Sequence, residues 1–227
     1  MKASIVIPAY RPVELLEGCL KGIANNTDLT NVEVIVICNG SDKESAELVL
    51  SLGEPFKLVW YTEALGFTKA TNIGLKLSTS DYVVVMNTDA HILPYQAKDV
   101  WLDRLLQPFE NPKIGITGLG SMYTRHGMYV PFFCTGIRRS LFDELGYLDE
   151  AFSPGYCEDA DFCYRARAAG YDVVQIDNIN PDPLKKHMTI TNFPIYHPGE
   201  QSYVDKEKRL EYVNRGHALL EKKWGNK

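Results

Sequence analysis

The chain has 227 residues, 45% hydrophobic and 23% charged, which is ordinary for a globule and leaves room for one large α/β domain or two small ones. Its net charge of −5 argues against nucleic acid as a main partner, because a phosphate backbone needs a basic footprint. No apolar run approaches the ~18 residues of a membrane span, nothing resembling a leader precedes the first strand, and no two of the five cysteines (Cys19, Cys38, Cys134, Cys157, Cys163) have Cys-x-x-Cys spacing, so the expectation is a cytoplasmic protein with reduced thiols.

The first half alternates strand and helix. Ser4 to Pro8 reads as a buried strand ended by Pro8, which cannot donate to a ladder. Ala9-Tyr10-Arg11 forms a turn, and Pro12 suits the start of a helix carrying Val13, Leu16, Leu20 and Ile23 on one face. Glu33 to Cys38 is the second strand and stops at the turn-forming Asn39-Gly40-Ser41-Asp42. A helix follows through Ala46, Val49 and Leu50, then a strand at Lys57–Tyr61 and, after Gly66-Phe67, a helix through Ala70, Ile73 and Leu77. Ser80 to Met86 is the fourth strand, with an unbroken apolar run that suits burial on both faces of a parallel sheet. It ends at Asn87-Thr88-Asp89.

Strand–helix alternation implies parallel pairing with right-handed crossovers, so the strand ends converge on one edge, where α/β sheets collect ligands. Tyr10, Asn39, the 63–69 loop and Asp89 should meet there. Asp89 is then either a carboxylate for a hard divalent cation that holds a diphosphate, or a cap of the next turn. No Gly-x-Gly-x-x-Gly or Gly-x-x-x-x-Gly-Lys-Ser/Thr follows the first strand, which argues against a dinucleotide dehydrogenase and a P-loop enzyme. Tyr10 in that turn offers a face for a base to stack on, or is a half-buried strand-end aromatic.

The second half is less regular. Val100 to Phe109 is an amphipathic helix, Ile114–Gly118 a short strand, and Tyr123 to Phe133 a strand or an aromatic wall. Ser140–Leu145 is a short helix stopped by Gly146. Glu158-Asp159-Ala160-Asp161 opens a helix that runs to Ala169-Gly170. Acidic residues there complement the helix dipole. Glu158 and Asp161 share a face while Asp159 is turned away from both, and a carboxylate turned into a cleft is a candidate general base. Asp177 to Pro198 reads as a flap over the site. Tyr203 to Trp224 is a charged helix whose Leu210, Val213, His217, Leu220 and Trp224 predict packing on the body or on a second copy of the chain, which leaves a homo-oligomer open.

These segments, in this order and spacing, resemble the GT-A-fold glycosyltransferases of family 2, inverting enzymes that use nucleotide-diphosphate sugars. The likeness is carried by Ser4-Ile5-Val6-Ile7-Pro8-Ala9-Tyr10, Val36-Ile37-Cys38-Asn39-Gly40-Ser41, the Gly66–Leu75 segment, Asn87-Thr88-Asp89 at the place of the Asp-x-Asp metal motif, Thr135-Gly136 through Phe152, and Glu158-Asp159-Ala160-Asp161-Phe162. It implies a single domain over 1–227, with a Rossmann-like, mostly parallel sheet flanked by helices. About 1–95 would bind the nucleotide sugar, about 96–202 would form a mixed acceptor and catalytic half, and 203–227 the C-terminal helix. It implies nucleotide contacts from Pro8, Ala9, Tyr10, Arg11, Asn39, Asp42, Gly66, Lys69, Asn72 and Thr88, and acceptor or sugar contacts from Gly136, Glu158 and Asp161. Asp159 would be the general base and Asp89 a ligand of Mn2+ or Mg2+. A downstream histidine completes the metal site, with His187 favoured over His197 on distance. The reaction implied is one in-line displacement from a nucleotide-diphosphate sugar, a UDP-sugar favoured, onto a hydroxyl of a glycan or other acceptor.

Cys38 and Asn87 depart from the family pattern, since both positions commonly hold Asp. The first weakens base recognition and the second removes a charge from the metal site. They keep open a non-catalytic nucleotide or sugar binder on a degenerate GT-A scaffold. A sugar-1-phosphate nucleotidyltransferase is the other alternative, disfavoured because Ala9-Tyr10-Arg11-Pro12 is no Gly-rich basic loop.

Overall fold

The structure is a computed structural model that describes residues 1–10, 12–40, 43–94, 97–176, 180–181, 189–190, 193–199 and 205–225. The first half runs β1 (Ala3–Ala9), α1 (Val13–Asn26), β2 (Val32–Asn39), α2 (Lys43–Leu52), β3 (Phe56–Tyr61), α3 (Phe67–Leu77) and β4 (Tyr82–Met86). The second runs β5 (His91–Ile92), α4 (Val100–Leu106), β6 (Ile114–Gly118), β7 (Met122–Thr124), β8 (Gly127–Tyr129), β9 (Cys134–Arg138), α5 (Ser140–Leu145), α6 (Glu158–Ala168), β10 (Asp172–Gln175), β11 (Asn180–Pro181), β12 (Thr189–Ile190), β13 (Ile195–Tyr196) and α7 (Lys206–Trp224).

Seven strands make the central sheet, in the order β10-β6-β9-β4-β1-β2-β3. The pairs β4–β1, β1–β2 and β2–β3 are parallel, as strand–helix alternation requires. Period-two side chains explain the unbroken apolar runs. Ile5, Ile7, Val34, Val36, Val84 and Met86 face one layer, which holds Leu16, Leu20 and Ile23 of α1 and Trp101 of α4. Val6, Ile35, Ile37, Val83 and Val85 face the other, which holds Ala70 and Leu75 of α3 and Phe162 of α6. β1, β2 and β4 are buried on both faces and need no polar alternate, while β3, at the edge, is half-exposed.

Two features differ from the sequence reading. β1 continues one residue past Pro8 to Ala9. β4 accompanies β1 only over Ser4–Val6, so at Pro8 one flank carries no ladder and its missing N–H costs nothing there. β9 is a central strand, antiparallel to both β4 and β6, where only a family-like segment was expected. Gly136 sits mid-strand opposite Val84 and Thr117, and a Cβ there would meet the Thr117 hydroxyl at 2.6 Å. Gly136 therefore has a packing role in the sheet.

The end of the sheet away from the strand C-termini is tied by a buried carboxylate. Glu33 accepts from the Ser4 hydroxyl at 2.5 Å, from Lys57 at 2.7 Å, and from the Thr79 amide and hydroxyl at 2.8 and 2.7 Å. Burial opposes ionisation, but the Lys57 ammonium and the hydroxyl and amide donors win and hold its pKa at about 2. A carboxyl depressed in the folded state stabilises above its unfolded value and loses that contribution as pH falls through the folded one. Glu33→Gln is expected to lower stability by about 2 kcal/mol at pH 7. That difference should fade as unfolding is followed down to pH 2–3 in urea titrations; a constant difference across the range would refute it.

Candidate functional site

The C-terminal ends of β1, β2, β3 and β4 open on one edge, as the parallel ladders dictate. Ala9 is buried and Tyr10 is 37% exposed beside it, so a ring stands free at the mouth. Thr88 and Asp89 follow β4, each 4% exposed. Lys69 lies exposed in the first turn of α3. Arg11 and Asp42 lie outside the described residues.

Three residues expected at the nucleotide also hold the scaffold. The Asn39 side-chain oxygen accepts the Leu65 amide and pins the loop before α3. Asn72 is 2% exposed; its amide donates to the Leu148 carbonyl at 2.9 Å and to Glu150 at 3.1 Å, while its oxygen accepts the Leu148 amide at 3.0 Å. Gly66 has a φ of 82°, and a Cβ there would lie 2.4 Å from the Pro154 Cα. Only glycine admits Pro154 at the start of α3.

Asp89 faces His197. The His197 Nε2 lies 3.1 Å from the Asp89 Oδ1. A two-strand ladder sets this pair: β13 runs antiparallel to β5, with Tyr196 opposite His91 and Ile195 opposite Ile92, and the Leu93 amide donates to the Pro194 carbonyl at 2.8 Å. β5 starts two residues after Asp89 and β13 ends one residue before His197, so the ladder delivers both side chains to one place. His187 lies outside the described residues. In the sequence, the signal for His197 is the His197-Pro198-Gly199 pattern.

These residues fit a divalent cation. Two ligands held about 2.1 Å from one ion at right angles stand about 3 Å apart, the spacing of this pair. The Asn87 Oδ1 is buried with no hydrogen-bond partner, an amide oxygen available to a hard ion. No cluster of three His, Cys, Asp or Glu side chains occurs among the described residues, so water or substrate oxygens would complete the shell.

The second carboxylate group lies at the start of α6. Asp159 is half-buried, and one of its oxygens accepts the Ala160 amide at 2.7 Å. Burial pushes its carboxyl up to about 6, against the pull of backbone donors from Ala160 and Phe132. Glu158 is 5% exposed, with Oε2 unpartnered. Burial first, and the Asp159 charge second, raise it well above the usual carboxylate range. Both carboxyls of this pair are therefore held above the usual carboxylate range by burial, and the Asp159 charge adds to the rise at Glu158. Asp161 is fully buried, held by Arg165 at 2.9 Å, Lys223 at 2.9 Å and the Trp224 indole at 2.9 Å. It locks α6 to α7.

α7 secures the approach to Asp159. Tyr156 and Cys157, immediately before Glu158, have φ of 79° and 72°, each costing about 1–3 kcal/mol unless the surroundings impose it. Arg209 donates to the Tyr156 hydroxyl at 3.2 Å, Arg215 to the Phe152 carbonyl at 3.3 Å, and Lys223 pairs with Asp149 at 2.7 Å. Leu220 and Trp224 pack on the body as expected, whereas Leu210 is 60% exposed and buried Gly216 joins the contact. A Cβ on Gly216 would meet the Tyr156 carbonyl oxygen at 2.6 Å. Gly216→Ala is expected to cost about 1–3 kcal/mol and to speed amide hydrogen exchange across residues 149–161. Unchanged exchange there would refute the clamp.

Both site halves meet at one short segment. The Phe132 amide donates to Asp159, while the Phe133 carbonyl accepts the Asn87 amide at 2.9 Å and its ring stacks on His197. Among the described residues no helix is long and apolar enough to cross a membrane.

Known proteins share this fold. A mannosyltransferase from Pyrobaculum calidifontis, PcManGT, solved in complex with GDP-Man and Mn2+, superposes with a TM-score of 0.64 at 19% identity over 77% of this chain and 54% of that one. S. aureus TarS 1–349 in complex with UDP superposes with a TM-score of 0.64 at 16% identity over 97% of this chain and 66% of that one. The fold is therefore GT-A. A dolichol-phosphate mannosyltransferase of Pyrococcus furiosus is 28% identical over 129 residues, which are 56% of this chain and 35% of that protein. The chain spans 23%, 35% and 13% of the length of the first three curated relatives it matches. Glycosyl transferase family 2 matches residues 4–127, more than half of the chain. The strand-end motifs, the fold and this match together make the chain a member of glycosyl transferase family 2.

Proposed function

We propose that this enzyme transfers a sugar, with inversion, from a nucleotide-diphosphate sugar to a hydroxyl of a glycan or other acceptor. The observation that carries this reading is the separation of roles between two carboxylates: Asp89 paired with His197 at the sheet edge, and Asp159 half-open at the head of α6. Asp159 takes the proton from the acceptor hydroxyl. The oxygen attacks the anomeric carbon from the face opposite the nucleotide, and the diphosphate departs. A divalent cation held by Asp89 and His197, with the Asn87 amide oxygen beside them, would offset the charge gathering on the diphosphate. One carboxylate and one imidazole favour Mn2+ over Mg2+, which prefers an all-oxygen shell. Tyr10 supplies a face for the base, and Lys69 stands near enough in the chain to meet the phosphates. The neighbours' UDP and GDP-Man complexes support a nucleoside diphosphate donor, with UDP-sugar the favoured class.

The test is a thermal-shift panel of UDP, GDP, dTDP and CMP, each with and without Mn2+. A ligand specific to the native state adds ~2.7 kcal/mol at a hundredfold excess over its dissociation constant. One nucleoside diphosphate should raise the melting temperature, and Mn2+ should enlarge the rise. A shift indifferent to Mn2+ would remove the cation from Asp89, and no shift with any of the four would sink the donor reading.

A further inference from the structure

We propose that Phe133 is the positioning residue of the cation site: its ring sets the plane of His197 while its backbone sets the Asn87–Asp89 turn, so that ligand and motif are held as one body. The inference rests on the reading of Asp89 and His197 as the cation's protein ligands.

The Phe133 and His197 rings lie face to face, with centroids 4.1 Å apart and planes 5° from parallel. An imidazole nitrogen donates its lone pair in the plane of the ring, so a tilt of that plane swings Nε2 off the ion. The β5–β13 ladder fixes where the His197 backbone stands, but it leaves rotation about the side-chain bonds. The flat neighbour removes that rotation. Phe133 is itself immobile: it is 5% exposed, its amide donates to the Pro131 carbonyl at 3.0 Å, and its carbonyl accepts the Asn87 amide at 2.9 Å. The next residue, Cys134, pairs with Met86 at the end of β4. A shift of Phe133 therefore moves the turn that carries Asp89 as well as the ring over it. A leucine or methionine could fill the same apolar volume. Neither presents a plane.

The experiment titrates Mn2+ alone, and again with UDP and with GDP, into the full chain, reading free Mn2+ by electron paramagnetic resonance. Phe133→Leu and Phe133→Met should each weaken Mn2+ binding by about tenfold, the lower end of the usual range for residues that orient a metal ligand. The two differ in shape, so one serves if the other fails to fold. Val49→Ala is the control. It opens the same apolar layer from α2, away from His197, and should lower the melting temperature without changing Mn2+ affinity. Wild-type affinity in Phe133→Leu or Phe133→Met overturns the inference, as does a parallel loss in Val49→Ala, which would make stability and not ring orientation the cause. If the wild type binds no Mn2+ under any of the three conditions, the cation reading fails and this inference with it. Wild-type binding that ignores Phe133 fails only the inference.

Discussion

Asp159→Asn is expected to lower the rate of sugar transfer by about 10²–10⁴-fold, the contribution of a positioned general base. Nucleotide binding should be nearly unchanged, because Asp159 stands at the head of α6 and not at the strand ends. The wild-type rate should rise with pH and reach half its maximum near 6, since Asp159 must be ionised to take a proton and burial holds its carboxyl at about 6. Stability should move in the other direction. A carboxyl whose folded pKa exceeds its unfolded one gives its full stabilisation only below the unfolded value, near 3.8, and loses it as pH rises through about 6. At pH 7 the ionised group is a cost, so Asp159→Asn should be at least as stable as the wild type, by up to about 2 kcal/mol after allowance for its open edge. A variant that is both inactive and markedly less stable would point to a structural role. A variant that retains near-normal transfer would end the assignment of Asp159 as base.

Asp89→Ala should be the other large loss. Removing one preorganised group that offsets developing charge costs ~2.7–4 kcal/mol in comparable sites, about 10²–10³-fold in rate. Unlike Asp159→Asn, it should also weaken nucleotide binding and abolish the enlargement of the thermal shift by Mn2+. Steady-state kinetics together with the nucleotide panel separate the two variants. If Asp89→Ala kept a shift that grows with Mn2+, the cation would be held elsewhere.

Much of the frame was legible before any coordinates. The runs at Ile5–Ile7, Val34–Ile37 and Val83–Met86 could only be strands buried on both faces, and the intervening 3.6-residue patterns could only be their covering helices. β9 was hidden. Its Cys134-Thr135-Gly136 opening carries little apolar signal, since Gly136 is there to admit the Thr117 hydroxyl and not to form a face.

Position along the chain determined which motifs reach the sheet edge: Ala9 and Tyr10 after β1, Asn39 after β2, Asp89 after β4. A parallel ladder permits no other outcome, because every strand must point the same way. Helical geometry likewise separated Asp159 from Glu158 and Asp161 on α6. Only the tertiary structure decided which of the polar residues are free to act. Asn39, Asn72 and Asp161 satisfy partners 26, 76 and 63 residues away. His197 reaches Asp89 across 108 positions through a ladder of two residue pairs. Spacing fixes the face a side chain takes on its own element. Whether its hydrogen-bonding capacity is already filled depends on what packs against that face, and those partners come from elements that only folding brings together.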